Sequence, residues 1–456
     1  MTVPLPRTRL LAVTATALLL AVTASACAPG SDDEGGGTDT AAADVETDVA
    51  AMGDLTLTVW DQEVRSGQDK QLDTLNASFE NRYPNVTIER VSRSFEDLNR
   101  TLRLAINSDD APDVVQANNG RSIMGAFVEA GLLRPLDGYA EAYDWEERFS
   151  EDVRALSSYT EDGATFGEGN LYGVPQTGEL VGLWYSKPKL DELGIEMPRT
   201  TADLESALQT AARAGEVPIQ LGNKEGWPGI HDFGFVQNQF VPADEIRDLG
   251  FGVEGSSWTT PENEQAAQTI SSWADNGYFT DGFNGFDYDP AWQNFAKGEG
   301  VFVIAGTWLL ADLSAAMGDD VGFALPPTGE SGEMAVTGGT GLPFAITEST
   351  EHADAAAAYL DHITSPEAMT DIEEAGNLPV YGAASDTADG PQADVLDAWG
   401  AANEQGAIVP YLDYATPDFY DLLTAQVQDL LAGSQSPEDF LSTLEEEYTS
   451  FTGSGG

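Results

Sequence analysis

From residue 55 to residue 116, stretches in which every second residue is hydrophobic, as in a strand, alternate with stretches in which every third or fourth residue is hydrophobic, as in a helix. The two periods predict strands at 55–60, 86–91 and 113–116, a helix through Leu72, Leu75 and Phe79, and another helix at 97–106. Pro84 ends the first helix, because proline has no backbone N–H with which to continue it. This βαβαβ order predicts a parallel sheet with helices on its faces.

The same two periods continue through the rest of the chain. They predict strands at 180–185 and 301–304 and helices at 200–214, 353–363, 418–431 and 437–448. Thr201 is the expected cap of the helix at 200–214. The patterned region is about 400 residues long, beyond the size that one hydrophobic core usually serves, so two domains are expected. With 41% hydrophobic residues, the chain can fill both cores.

The N-terminal segment has the layout of an export signal. Arg7 and Arg9 precede an apolar run at residues 10–22, and small residues follow up to Cys27, the single cysteine. The run is shorter than the roughly 20 apolar residues that a membrane-spanning helix needs. The closing Ala-Ser-Ala-Cys resembles a bacterial lipobox, where a peptidase cuts before the cysteine and the sulfur receives a diacylglycerol. We therefore predict a signal peptide at 1–26 and lipidation of Cys27.

The residues after Cys27 offer little to bury. From 31 to 47 the sequence is rich in Gly, Ala, Asp and Thr, which predicts a lipidated flexible tether at 27–52. The tether would hold the working body at the outer face of the cytoplasmic membrane, as in the lipoproteins of Gram-positive bacteria. No later segment of the sequence is apolar for long enough to span a bilayer, so the lipid is the expected membrane contact.

The charge of the chain is unusual. There are 77 Asp and Glu against 20 Lys and Arg, which gives a net charge of −57, and Lys297 is the last basic side chain. Such a field repels nucleic-acid phosphates and anionic lipid headgroups, so neither is an expected partner. Two explanations stay open: the general solubility of an exported protein, and adaptation to high salt, where screening removes the self-repulsion.

A series of short motifs follows one another along the chain. They are FENRYPNVTI at 79–88, APDVV at 111–115, GLLRPL at 131–136, YGVP at 172–175, WYSK at 184–187, GEGV at 298–301 and GTW at 306–308. Their order and spacing together resemble the extracellular solute-binding proteins of ABC sugar importers, the family of maltose-binding-protein-like lipoproteins. The WYSK segment stands where that family usually has Tyr-Asn-Lys. The resemblance covers nearly the whole chain after the predicted tether.

The resemblance implies an α/β fold: a two-lobed clamshell of the periplasmic-binding-protein type, each lobe a mainly parallel sheet flanked by helices and discontinuous in sequence. The first lobe would hold 53–176 and 327–376 and the second 177–326 and 377–456, with hinges near Thr177, Leu325 and Leu378. The implied function is to capture a carbohydrate, here an oligosaccharide, by lobe closure and to deliver it to the permease subunits of the importer. We expect a monomer that needs no cofactor and no metal.

Polar and aromatic residues gather where the predicted strands end, and ligands of parallel sheets bind at the carboxyl ends of the strands. A sugar site needs aromatic faces together with side chains that make several hydrogen bonds. The candidates are Trp60, Asp61 and Gln62 after the first strand, Asn118 and Asn119 after the third, and the loop residues Asn223, Trp227 and His231. The alternatives are strand-end packing for Trp60, a helix cap for Asp61, a turn at Asn118 and Asn119, and an ordinary surface loop.

The resemblance adds further candidates. Trp308 matches a family tryptophan that stacks on a sugar ring, and Glu179 falls where maltose-binding proteins place a sugar-contacting carboxylate. The alternatives are a core position for Trp308 and a hinge salt bridge for Glu179. Additional candidates are Gly339, in a turn that approaches the cleft in this family, and Asn377, Asp413 and Phe419.

Enzyme functions find little support in the sequence. It contains no G-x-S-x-G elbow, no phosphate-binding glycine loop, no H-E-x-x-H and no second cysteine for a zinc site. The acids at 281–289 lack the spacing of a calcium loop. Phosphate ligands would need clustered basic residues, which the candidate loops lack. The remaining alternatives are a surface-anchored glycosidase, since no pattern excludes a pair of carboxylates, and a binding protein for another solute such as a polyamine.

Overall fold

A computed structural model describes residues 40–108, 110–329, 332–382 and 388–453. Cys27 and the predicted signal peptide lie outside the described residues. The described strands are β1 (Leu55–Asp61), β2 (Val86–Ser92), β3 (Val114–Gln116), β4 (Ser158–Tyr159), β5 (Asn170–Leu171), β6 (Gly178–Ser186), β7 (Phe302–Gly306), β8 (Val321–Ala324), β9 (Val336–Thr340), β10 (Phe344–Ile346) and β11 (Ile408–Val409).

Helices connect these strands and cover the sheets. They are α1 (Ser66–Arg82), α2 (Phe95–Ala105), α3 (Ala126–Glu129), α4 (Asp137–Ala142), α5 (Trp145–Arg148), α6 (Glu151–Ala155), α7 (Lys187–Leu193), α8 (Thr201–Ala214), α9 (Trp227–Gln237), α10 (Ala243–Phe251), α11 (Pro261–Asp275), α12 (Tyr288–Ala296), α13 (Leu310–Met317), α14 (Ala353–Ile363), α15 (Pro366–Glu374), α16 (Gly390–Glu404), α17 (Phe419–Leu431) and α18 (Pro437–Thr452). Within the described ranges, none of them combines the length and the apolar character that a membrane crossing requires.

The first sheet has the strand order β10-β3-β1-β2. β1 runs parallel to β2 and to β3, with Leu55 opposite Val86 and Val59 opposite Val114, while β10 joins β3 antiparallel. The predicted βαβαβ order is therefore confirmed, with α1 and α2 as its two helices. One buried apolar cluster joins this sheet to α1, α14 and α15. We call the elements packed on this sheet the first half.

The second sheet is built around β6 and has the order β11-β9-β6-β7, with β8 also paired to β6. Its strands run mostly in alternating directions: β6 is antiparallel to β7, β8 and β9, and β11 is parallel to β9. A mainly parallel sheet was expected for each lobe, so the second sheet corrects that detail. The apolar run of β6 is buried almost throughout. Such a run is compatible with parallel or antiparallel neighbours, because the direction of each neighbouring strand depends on how a distant segment of the chain enters the sheet. The elements packed on this sheet form the second half.

The chain passes between the two sheets at neighbouring places. Thr177, before β6, bridges to Pro379, next to Leu378. These are two of the predicted hinge positions. Another crossing lies at residues 341–343, between β9 of the second sheet and β10 of the first. Leu325, the remaining predicted hinge, instead directly follows β8 within the second sheet, since the chain makes one more strand there before it crosses.

Side-chain caps begin several helices. At α8, the Thr200 hydroxyl accepts from the Asp203 N–H at 3.2 Å and the Asp203 carboxylate accepts from the Thr200 N–H, which together form a capping box. The cap is therefore Thr200 and not the predicted Thr201, which is the first helical residue. Ser365 and Ser436 cap α15 and α18, and each is followed by the proline that is favoured at the first helical position.

The segment before β1 packs on the first half. Val49 is 1% exposed and belongs to the core cluster of the first half. The Asn85 side chain donates to the Val49 carbonyl at 2.9 Å and to the Gly53 carbonyl at 2.8 Å. The C-terminal end of the predicted tether at 27–52 therefore packs on the first half in the described structure, where Val49 is buried and Val45 and Met52 lie against the same core cluster.

Replacing Val49 by alanine should lower the free energy of unfolding by about 1–3 kcal/mol, because it removes buried methyl groups from the core. Urea unfolding measures the change. Thr47→Ala is the matched control, since Thr47 is exposed in the same segment, and it should have little effect. If Val49→Ala lowered the free energy of unfolding no more than Thr47→Ala does, the segment would add nothing to the core of the first half.

Candidate ligand-binding site

A cavity lies between the halves, where the ends of β1, β2 and β3 face β6 and β9. It is lined by Gln62, Phe95, Asn118, Glu179, Trp227, Ile230, His231, Trp308, Thr340, Leu342, Tyr411, Asp413, Tyr414 and Tyr420. Counted out to its mouth and including open solvent, the cavity holds about 600 Å³ of empty space. The first half contributes Gln62, Phe95 and Asn118, which follow the carboxyl ends of β1, β2 and β3, where ligands of parallel sheets are expected to bind.

Aromatic rings form much of the wall on the second half. The ring centre of Trp227 lies 4.5 Å from that of Tyr288 and 6.1 Å from that of Trp308. Trp308 Nε1 donates to the Tyr288 hydroxyl at 2.8 Å. Gly306 makes room for the Trp308 indole, since a Cβ at this glycine would lie 1.9 Å from the ring. Both tryptophans are half-buried and line the cavity, so they offer flat apolar faces to a ligand.

Glu179 stands on β6 directly after the first crossing. The Tyr411 hydroxyl donates to Glu179 Oε2 at 2.9 Å. Burial raises the pKa of the Glu179 carboxyl to about 8, although the Tyr411 hydrogen bond acts in the opposite direction. The hinge salt bridge considered for Glu179 is not formed within the described structure, where its partner is a hydroxyl group.

Asp413 and Asn118 face each other from opposite halves. Asn118 Nδ2 donates to Asp413 Oδ2 at 3.4 Å, and burial raises the pKa of Asp413 to about 6. Burial also lowers the pKa of His231 to about 3, so this imidazole is neutral at physiological pH. Its ring centre lies 5.4 Å from those of Trp308 and Tyr411. The cavity therefore presents carboxyl, amide and imidazole groups next to aromatic rings.

Several residues singled out from the sequence meet at this cavity. They are Gln62, Asn118, Glu179, Trp227, His231, Trp308 and Asp413. They come from separate segments of both halves, and their contact with a ligand stays a prediction.

Trp60 and Asp61 do not line the cavity. Both oxygens of Asp61 accept from Arg90, at 2.8 and 3.0 Å, and Asp61 Oδ1 also accepts from the Glu63 N–H at 2.9 Å. The Trp60 ring lies 4.0 Å from the Arg93 guanidinium. Asp61 is fully buried and its charge is paired, so this side chain is not available to a sugar.

Four other candidates also have structural roles outside the cavity wall. Asn119 donates to a backbone carbonyl in the 156–157 turn at 2.6 Å, and Asn223 accepts from a backbone N–H in the first turn of α9 at 2.8 Å. Asn377 donates to a glutamine side chain on α1 at 2.7 Å. Gly339 has a φ of 127° and neighbours Thr340 on β9, where successive residues face opposite sides, so Thr340 reaches the cavity and Gly339 does not.

The sequence predictions missed half of the cavity wall. The missed residues are Phe95, Ile230, Thr340, Leu342, Tyr411, Tyr414 and Tyr420. Phe419 was the candidate aromatic residue in this region, but it is fully buried in the core, and its neighbour Tyr420 lines the cavity instead. Adjacent residues on a helix point about 100° apart, so a shift of one position exchanges core and site. The close spacing of the three tyrosines was the signal that could have indicated them.

The acidic stretch before α12 binds other parts of the protein. Asn284 accepts from Asn223 at 2.8 Å, and Asp287 accepts from Lys224 at 2.5 Å. Within the part of the chain that the structure describes, no group of three or more His, Cys, Asp and Glu side chains is placed to hold a metal ion.

Replacing Glu179 by glutamine should flatten the pH dependence of stability between pH 6.5 and 8. The unfolded carboxyl ionises near its ordinary pKa of 4.5 and the folded one near 8, so ionisation costs the folded state stability as the pH rises through this window. The wild-type free energy of unfolding should fall by about 2 kcal/mol more than that of the variant. Urea unfolding at each pH measures this.

Asp413→Asn is the matched control for that experiment. The folded pKa of Asp413 is about 6 against an ordinary value of 3.8, so this variant should change the slope below pH 6 and leave the slope from 6.5 to 8 as in the wild type. Parallel curves for wild type and Glu179→Gln above pH 6.5 would contradict the assigned pKa.

Comparison with known proteins identifies the family. The family model for bacterial extracellular solute-binding proteins matches residues 60–370. The chain is 21% identical over 316 residues to the Multiple sugar-binding protein of Streptococcus mutans, which covers 68% of this chain and 72% of that protein. It is 23% identical over 335 residues to the Maltotriose-binding protein of Pyrococcus abyssi, which covers 71% of this chain and 66% of that protein.

Solved structures share the fold. One from a study of xylan utilization by Caldanaerobius polysaccharolyticus has a TM-score of 0.76 at 22% identity and covers 86% of this chain and 99% of that chain. A chitin oligosaccharide binding protein has a TM-score of 0.74 at 20% identity, with 87% and 98% covered. The chain belongs to the bacterial extracellular solute-binding protein family. It is a solute-binding protein of an ABC transporter and not an enzyme.

Proposed function

We propose that this protein captures a neutral oligosaccharide in the cavity by closure of its two halves and delivers it to the permease subunits of an ABC importer. The observation that carries the proposal is the pairing of Trp227 and Trp308 with the buried carboxyl groups of Glu179 and Asp413 on one cavity wall. The names of its relatives, a multiple sugar-binding and a maltotriose-binding protein, support the same ligand class.

The chemistry of the wall suits a sugar. The C–H faces of a sugar ring are weakly apolar and pack on aromatic faces, while its hydroxyls donate and accept at the ring edge. Carboxyl oxygens accept from such hydroxyls, and the Tyr411 and Tyr414 hydroxyls, which donate their own protons to Glu179 and Asn119, add acceptors. The wall therefore offers partners to both parts of a sugar.

The charge of the wall narrows the ligand class. No Lys or Arg is among the described residues that line the cavity. A sugar phosphate or a uronic acid would bury its charge beside Glu179 and Asp413 without a partner, which is costly. A polyamine would need several ionised carboxylates, but at pH 7 the pKa of about 8 keeps Glu179 protonated and leaves Asp413, with a pKa of about 6, as the ionised carboxyl group of this pair. Both considerations favour an uncharged ligand.

We also propose that the protein is a lipoprotein of the outer face of the cytoplasmic membrane, anchored through Cys27. The lipobox-like segment and the export layout before it support this. Because residues 40–52 are part of the folded body, the tether in this proposal is the stretch from 27 to 39.

A thermal-shift screen tests the ligand class. Raffinose, maltotriose, xylotriose and chitotriose are compared at millimolar concentration with a glucuronic-acid-bearing disaccharide and with spermidine. At least one neutral sugar should raise the melting temperature by several degrees, since a ligand of the native state stabilises it in proportion to RT ln(1 + [L]/Kd). Stabilisation by spermidine or by the acidic sugar alone would overturn the proposal.

A second measurement separates capture from catalysis. The stabilising sugar is incubated with the protein overnight and recovered. A capture protein returns the sugar intact, whereas shortened products would favour the glycosidase alternative.

A further inference from the structure

Two side-chain contacts join the halves next to the cavity. Glu96, in the first turn of α2, accepts a hydrogen bond from Trp227 Nε1 at 2.5 Å. Arg65, at the start of α1, lies 3.1 Å from Asp289 on α12. Glu96 and Arg65 belong to the first half, while Trp227 and Asp289 belong to the second, where α9 and α12 pack on the second sheet. We call these two contacts the clasp.

Each contact of the clasp reaches an aromatic ring of the cavity wall. Glu96 binds the indole N–H of Trp227 directly. The Arg65 guanidinium lies 5.4 Å from the ring centre of Tyr288, whose hydroxyl in turn accepts from Trp308 Nε1 at 2.8 Å. Glu96 of the first half therefore orients Trp227 directly, and Arg65 of the first half orients Trp308 through Tyr288.

Both contacts of the clasp involve side chains that carry charge when ionised. A hydrogen bond to a carboxylate is charge-assisted and stronger than one between neutral groups. The Arg65 side chain is 16% exposed and Asp289 46% exposed, so this pair is only partly screened by salt. The Phe95 ring, next to Glu96, also contacts Trp227 and lines the cavity. Separation of the halves breaks all of these contacts together.

We propose that Glu96 and Arg65 are positioning residues: the clasp holds the halves together and sets Trp227 and Trp308 in place for the ligand, so that it determines how slowly a bound sugar leaves. Opening of the halves would break the contacts of Glu96 and Arg65, whereas the contacts among Trp227, Tyr288 and Trp308 lie within the second half and would remain. A ligand that binds residues of both halves therefore favours closure. The statement about release rests on the proposed capture of a neutral oligosaccharide.

A first experiment follows the indole N–H of Trp227 by NMR in the full chain labelled with ¹⁵N-tryptophan, with the signal assigned through Trp227→Phe. Glu96→Ala should move this signal toward the position of a free indole, and Glu96→Gln, which keeps an acceptor oxygen, should restore most of the shift. Asp97→Ala is the matched control, since Asp97 is an exposed acid of the same helix turn and pairs with Arg100 in its own half. It should leave the signal in place.

A second experiment measures the dissociation rates of raffinose and maltotriose by stopped-flow fluorescence. Glu96→Ala and Arg65→Ala should each speed release about tenfold or more and change the association rate much less. Arg100→Ala is the control for Arg65→Ala, because Arg100 is an exposed arginine that forms its ion pair with Asp97 of its own helix. It should keep the wild-type rate.

The two experiments fail in different ways. An unchanged Trp227 signal in Glu96→Ala would overturn the clasp, whatever the protein binds. Sugar release at the wild-type rate in both Glu96→Ala and Arg65→Ala would overturn its effect on the ligand. If none of the four neutral sugars of the thermal-shift screen bound while the Trp227 signal moved as expected, the proposed ligand class would be wrong and the clasp would stand as a contact between the halves. Thermal melts of each variant confirm that it is folded.

Discussion

Trp308→Ala should weaken binding of the stabilising oligosaccharide about tenfold or more while the protein keeps its fold. The Trp308 ring is half-buried and lines the cavity, so its removal takes away an aromatic face on which a sugar ring would stack. It also leaves the Tyr288 hydroxyl without the donor that it has at 2.8 Å. Isothermal titration calorimetry measures the change in Kd.

Trp60→Ala is the matched control for this variant. It likewise removes a half-buried tryptophan, but one that stacks on Arg93 at 4.0 Å and does not line the cavity. It should change the Kd by about twofold at most. An unchanged Kd for Trp308→Ala, with a normal melting temperature, would limit Trp308 to packing, and equal losses in both variants would mean that the cavity is not the site.

Cys27→Ala should abolish lipid attachment and release or mislocalise the protein, which should keep its fold. The proposed anchor is a covalent lipid on this cysteine, and the chain has no other cysteine to carry one. Within the described ranges no helix could replace the anchor by crossing the membrane. Fractionation after a high-salt wash, together with metabolic labelling by a radioactive fatty acid, measures both effects.

Ser31→Ala serves as the control for the anchor, because it changes a small polar residue shortly after the cysteine and should leave both lipid and location unchanged. If the Cys27→Ala protein stayed on the membrane after the salt wash, the lipobox assignment would be wrong. A soluble Cys27→Ala protein that still binds the sugar would show that the folded body works without its anchor.

The first half of the fold followed from local patterns. The alternation at 55–60 and 86–91 and the helical spacing of Leu72, Leu75 and Phe79 predicted β1, β2 and α1, because burial of one face imposes those periods. The direction of the second sheet did not follow. The apolar run of β6 has no period that separates parallel from antiparallel neighbours, and its partners come from more than 100 residues later in the chain.

The site was predictable in part. Trp308 and Glu179 were indicated by resemblance to a family and reach the cavity, while Asp61, indicated by its place after a strand, is paired with Arg90. A position at the end of a strand brings a side chain to the edge of the sheet where ligands bind. Whether that side chain can reach a ligand depends on whether a residue far away in the chain already pairs with it. Arg90 stands 29 residues after Asp61, and nothing in the local sequence joins the two.

The sequence by itself determined the alternating strands and helices of the first sheet, the acidic charge and the class of protein, because these depend on composition, local periodicity and motif order. Only the tertiary structure decided which polar residues meet at the cavity, that residues 40–52 belong to the body, and that Glu96 reaches Trp227 across the halves. Such contacts join segments far apart in the chain. Their partners are chosen by packing in three dimensions, which no local pattern records.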